Sequence, residues 1–209
     1  MAEVSAVGTR QERKRRTRQA LLDSALKLLE DTSLAGLSLR EVTREAGVVP
    51  TAFYRHFPAM DDLGVALVEE CMRALREMLR SARRKPSDDA IRGSVAILVD
   101  HVARYQAHFR FLIRERYGGV AAVRRSIAGE LRLLGSELAT DLARYRGMAD
   151  WDAEDLRMVA DLMVGAMLSV VTALLDVAED PRARAEVVAV AEQQLRLIAL
   201  GMTHWRRPL

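Results

Sequence analysis

Apolar residues recur at the three- and four-residue spacing of a helix face along almost the whole chain. Leu21, Leu22, Ala25, Leu28 and Leu29 form the first such face and predict a helix over about 13–31. Gly36 breaks the pattern. Ser38 followed by Glu41 is a capping-box pair, so a short second helix starts at Leu39, with Leu39, Val42 and Ala46 as its apolar face. Gly47 ends it, because a left-handed backbone costs glycine nothing. Pro50 opens a third helix, where its missing N–H is not needed, and Pro58 limits that helix to about Phe57.

Beyond Ala59 the pattern is nearly continuous helix. It predicts helices over 60–84, stopped by Lys85 and Pro86; over 87–106, capped by Ser87; over 108–117, stopped by Gly118 and Gly119; and over 120–145. A loop at 146–150 precedes two final helices over 152–178 and 181–206, with Asp180 before Pro181 as an N-cap. The expected fold class is all-α. The short connections around Gly47 make the second and third helices cross steeply, as in a helix-turn-helix, which presents its last helix to the DNA major groove. A generic three-helix bundle fits the same pattern. The expected domains are 1–59, an N-terminal arm with the helix-turn-helix, and 60–209, a helical domain for ligand binding and dimerisation.

Composition agrees. Half of the 209 residues are hydrophobic, and only 5 are proline and 12 glycine. The net charge is +3, but its placement matters more: Arg10, Arg13, Lys14, Arg15, Arg16 and Arg18 face a single acid, Glu12. Such a run attracts polyanions, or is simply a solvated arm. The lone Cys71 excludes a disulfide framework within the chain. The four histidines show no metal-ligand spacing, so neither metal nor cofactor is expected. There is no acid–base pair, nucleophile motif or phosphate loop of an enzyme. The N-terminus has no signal-peptide core, and the uncharged stretch Leu162–Leu175 falls short of the roughly twenty residues that span a bilayer. A cytoplasmic protein without a membrane partner is expected.

The run Ser38-Leu39-Arg40-Glu41-Val42, through Ala46-Gly47-Val48 to Thr51-Ala52-Phe53-Tyr54-Arg55-His56-Phe57 and Leu63, resembles the DNA-binding signature of the TetR family over about residues 13–65. Within that family it is most similar to the FabR/DesT-type repressors of unsaturated fatty acid synthesis, as is the stretch from Phe109 to Arg116 before the paired glycines. The resemblance implies a dimeric regulator of double-stranded DNA. The residues expected at DNA are Arg18, Arg40, Pro50, Thr51, Tyr54, Arg55 and His56. Arg40 suits a guanine edge or a phosphate, Thr51 a thymine methyl or a phosphate, Tyr54 and His56 phosphates, and Arg55 a base edge. Phe53 and Phe57 face inward as core. The family often has a phosphate-gripping lysine where this chain has Met60.

The resemblance also implies an effector pocket in the C-terminal domain and a homodimer through the last two helices. The residues agree with a dimer. The helix bearing Leu162, Met163, Ala166, Met167, Val170 and Leu174 is apolar nearly all round, and Gly165, Ala166 and Ser169 allow close approach. Phe109, Phe111, Leu112, Arg116, Met163 and Met167 are the expected effector contacts, for a hydrophobic small molecule such as long-chain acyl-CoA. Arg110, Arg114, Arg116, Arg124 and Arg125 are the expected cations for its coenzyme A. Ordinary core packing and a solvated face are the alternatives. The runner-up role is repression of an efflux or catabolic gene in response to another hydrophobic molecule.

Overall fold

The computed structural model describes residues 2–83, 90–148 and 150–205. Among them are nine α-helices and no strand: α1 (Ala2–Leu28), α2 (Leu39–Glu45), α3 (Pro50–Phe53), α4 (Met60–Arg83), α5 (Ala90–Arg104), α6 (Gln106–Glu115), α7 (Ala121–Leu142), α8 (Ala153–Asp176) and α9 (Pro181–His204). Two 3-10 turns, Leu34–Gly36 and Arg146–Met148, lie between them. The expected stop at Lys85 and Pro86, the Ser87 cap and the helix end at Arg206 lie outside the described residues.

Two boundaries differ from expectation for physical reasons. The basic run from Arg10 to Arg18 is not a separate arm but part of α1, whose helix starts well before residue 13. The third helix keeps α-geometry only to Phe53. Beyond it the bonds are mixed: the Arg55 N–H donates to the Ala52 carbonyl and the His56 N–H to the Phe53 carbonyl, three residues back, and the Phe57 N–H to the Phe53 carbonyl, four residues back. A chain that must turn out at Pro58 closes its last turn this way.

The chain divides into two compact units, Met1–Cys71 with Arg110–Ile127, and Met72–Phe109 with Ala128–Leu209. In the first, the predicted α1 stripe is buried at Leu21, Leu22, Ala25 and Leu29. Val42, Phe53, Phe57, Leu63 and Leu67 complete its core, joined by Phe111 and Val123. Cys71 is buried, and burial pushes its thiol well above the ordinary range, so it stays an inert apolar group.

In the second unit α5 packs on α8 and α9. One cluster joins Leu142, Met148, Leu156, Val159 and Ala160, with Trp151, Ile198 and Met202 packed against it. The predicted caps are present: Asp152 accepts from the N–H groups of Glu154 and Asp155, and Asp180 from those of Arg182 and Ala183. By length and composition alone α8 could cross a membrane. Its run of Val170, Val171, Leu174 and Leu175 is buried in the protein, as for a core helix. Its other face, with Met158 and Leu162, is exposed.

Candidate nucleic-acid interface

The geometry of α2 and α3 follows from local chemistry at three points. Ser38 and Glu41 form a full capping box: the Glu41 N–H donates to Ser38 Oγ at 3.3 Å, and the Ser38 N–H to Glu41 Oε2 at 2.9 Å. The Ser38 hydroxyl also donates to Glu41 Oε2 at 2.6 Å, and this bond, then the one from the Ser38 N–H, holds the Glu41 carboxyl below its ordinary range. At the other end Gly47 has φ +66°. The Val48 N–H reaches the Thr43 carbonyl at 2.9 Å and the Gly47 N–H the Arg44 carbonyl at 3.2 Å, which is the Schellman closure. A Cβ at Gly47 would meet nothing within 4 Å, so the backbone twist alone calls for glycine. Pro50 then occupies the first position of α3.

Phe53 anchors the result. It is fully buried, with ring centroids 5.8 Å from Tyr54 and 5.6 Å from Phe57. Burying this side of α3 turns Pro50, Thr51, Tyr54 and Arg55 outward, and Tyr54 is 62% exposed. Arg40 is exposed on α2. Among the described residues no carboxylate pairs with Arg18, Arg40 or Arg55. Arg18 is half-buried, its guanidinium 5.1 Å from the Phe57 ring centroid. Together they offer hydrogen-bond donors and an aromatic hydroxyl on the solvent side of the helix-turn-helix.

His56 is half-buried, and its Nδ1 is buried with no hydrogen-bond partner among the described residues. Burial, then the cations Lys14, Arg18 and Arg55, hold its pKa below the ordinary 6.5. The folded protein therefore takes up this proton at lower pH than the unfolded chain does. Stability is unaffected by His56 above about pH 6.5 and declines as pH falls through that value toward the folded pKa. Thermal melts between pH 7.5 and 5.5 should show a larger loss for wild type than for His56→Gln. Equal losses would mean that His56 is not held neutral by folding.

One apolar residue at this surface was not read from the sequence as part of it. Val49 precedes α3 as its N-cap, gives no side-chain bond there, and is exposed. The six expected effector residues are divided between the units: Phe111, Leu112 and Arg116 in the first, Phe109, Met163 and Met167 in the second. Phe109, Phe111 and Leu112 are buried, and Met163 packs against the Leu156 cluster. The Arg116 guanidinium lies 4.8 Å from the Tyr117 ring centroid. Two of the arginines expected at coenzyme A are engaged otherwise: Arg114 donates to carbonyls after α1 and Arg124 to the Gly118 carbonyl.

Residues 21–67 match the family model for bacterial regulatory proteins of the tetR family. Residues 87–201 match that for the tetracyclin repressor-like C-terminal domain. Solved structures share the fold at low identity. The fatty acid degradation regulator FadR from Bacillus halodurans is 14% identical, with 92% of this chain and 97% of that one covered and a TM-score of 0.70. FadR from Bacillus subtilis, solved with stearoyl-CoA, is 16% identical over 88% of this chain and 98% of that one, with a TM-score of 0.67. SmeT, solved with triclosan, is 16% identical over 92% and 99%, also with a TM-score of 0.67.

Proposed function

The chain belongs to the tetR family of bacterial regulatory proteins, transcription regulators that bind DNA and small-molecule effectors as dimers, and from that premise we propose a specific role. The protein is a cytoplasmic repressor. It binds a palindromic operator as a homodimer through α8 and α9, and it is released or tightened by a hydrophobic effector of the long-chain acyl-CoA class. Residues 1–59 bind DNA, and residues 60–209 hold the effector and the partner subunit.

The observation that carries DNA binding is the division of α3 and the turn after it, residues 50–57, into two faces. Phe53 and Phe57 are buried, while Thr51, Tyr54 and Arg55 project from the opposite side, with no carboxylate paired to the arginine among the described residues. In this reading Arg55 reads a base edge, Thr51 and Pro50 pack on thymine methyls, and Arg18, Arg40, Tyr54 and His56 hold phosphates. Two such helices must stand roughly 34 Å apart to enter successive major grooves. An effector changes binding only if it prefers one spacing over the other.

The acyl-CoA reading and the FabR/DesT-type role draw support from the sequence resemblance and from the stearoyl-CoA bound to a neighbour of the same fold. The triclosan complex of another neighbour supports the second reading, an efflux or catabolic repressor answering to a different apolar molecule. Fluorescence anisotropy on labelled DNA from the gene's own upstream region separates them. Wild type should bind, Arg55→Ala should lose about tenfold or more on that DNA and little on random DNA, and one class of acyl-CoA should shift the curve. Tight binding indifferent to every acyl-CoA leaves a repressor of the second kind. No preference for the upstream DNA over random sequence defeats the specific regulator.

A further inference from the structure

Arg114 and Glu115 are neighbours at the end of α6, opposite in charge, and both reach the same turn. Arg114 Nη1 donates to the carbonyls of Leu29 at 2.7 Å and Thr32 at 2.6 Å, and Nη2 to that of Glu30 at 3.1 Å. The carbonyls that follow a helix have no partner within it, and a cation suits them. Glu115 Oε1 accepts from the Leu34 N–H at 2.9 Å. Glu115 is 1% exposed, and its Oε2 is buried without a hydrogen-bond partner among the described residues. A Cβ at Gly118 would stand 2.1 Å from that oxygen, so the glycine leaves the room the carboxylate needs. Every one of these residues lies in the first unit.

A buried carboxylate with one oxygen unsatisfied costs stability rather than adding it. What it supplies is location. The Leu34 turn leads directly into the Ser38 cap of α2, and α2 sets α3 through the Gly47 closure. Three carbonyls and one N–H of that turn are thus fixed from α6 by two side chains of opposite charge. The helix that carries them starts at Gln106, and its first four residues belong to the second unit.

We propose that Arg114 and Glu115 are positioning residues for DNA binding: through the Leu29–Leu34 turn they make the presentation of α2 and α3 depend on where α6 stands. The proposal rests on the DNA-binding reading above and extends it to how a change at α6 is passed on. Glu115, being buried, acts through the turn and not on the nucleic acid.

The test compares Arg114→Ala, Glu115→Ala and the conservative Glu115→Gln, which keeps a carbonyl oxygen for the Leu34 N–H. Operator affinity is measured by anisotropy at a temperature where circular dichroism shows all of them folded, and amide hydrogen exchange is followed in parallel. Both alanine variants should bind the upstream DNA about tenfold more weakly, within the usual range of coupling between sites. Exchange should rise at 29–57 and stay unchanged in α8 and α9, and Glu115→Gln should recover most of the affinity. Should an alanine variant fail to fold, Arg114→Lys, which keeps the charge but replaces the two-nitrogen fork with a single ammonium, takes its place. Wild-type binding with variants that stay within twofold of it overturns this inference alone. A wild type that does not bind the DNA overturns the regulator reading and this inference with it.

Discussion

Replacing Leu197 with glutamate should yield a folded monomer that has lost its operator. Leu197 is 72% exposed on α9, and Leu200 and Val190 are exposed with it. On α8 Leu162, at 56%, and Met158 are exposed as well. Residues 190, 197 and 200, and 158 and 162, follow helical spacing, so each set forms a stripe on one side of its helix. The exposed Gly165 and Ser169 continue the α8 stripe with small residues. Contiguous apolar surface of this kind marks a partner's place, and in this family the partner is a second copy. In a twofold interface each substitution acts twice. Losing the burial of two leucines at about 2 kcal/mol each weakens the dimer roughly a thousandfold, before the cost of burying two carboxylates is counted. Because both half-sites must be held, operator affinity should collapse with the dimer. Sedimentation velocity and anisotropy on the same samples read both quantities. A variant that remains dimeric at micromolar concentration places the interface elsewhere.

Legibility in the sequence followed the range of the interaction. The capping box of Ser38 and Glu41, the left-handed Gly47 and the Asp180 cap before Pro181 are decided within a few residues, and each stands as the pattern requires. The buried stripe of α1 and the inward Phe53 and Phe57 follow from period alone. Arg114 could not be read in this way. In sequence it is one arginine of several, and its carbonyl partners lie 82 to 85 residues earlier. Glu115 likewise looks like a surface acid until the fold puts Leu34 beside it. The end of α3 is less legible, because proline at 58 limits a helix without saying how its last turn closes. The residues expected at DNA are legible as a motif, and the outward placement of Thr51, Tyr54 and Arg55 follows from Phe53 being buried.

Gly64 shows the same limit at a single position and carries the second large prediction. It sits within the first turns of α4, where a glycine weakens a helix by about 1 kcal/mol relative to alanine and propensity alone recommends replacing it. The packing reverses that advice. A Cβ here would stand 2.4 Å from Leu34 Cδ2 and 2.6 Å from Val123 Cγ2, and both of those side chains are buried. Neither can swing into solvent, so the crowding must be absorbed by strain of about 1–3 kcal/mol for the first added carbon. Gly64→Ala should therefore be neutral to mildly destabilising. Gly64→Val, with two further methyls on a stiff side chain, should lose about 3 kcal/mol in urea denaturation. The cause can be isolated by pairing Gly64→Ala with Leu34→Ala. Alone, Leu34→Ala opens a cavity at a cost of about 2–5 kcal/mol. In the pair the new methyl enters that cavity, so the double variant should be at least about 1 kcal/mol more stable than the sum of the singles predicts. Additivity within about 0.5 kcal/mol would mean that Leu34 does not set the space at Gly64. Leu34 is also the residue whose N–H Glu115 holds, so side chain and backbone of one residue are fixed from α4 and from α6. Crowding it from α4 should then weaken operator binding in Gly64→Val at temperatures where the protein is still folded, as removal of the Glu115 carboxylate is expected to do from the other side.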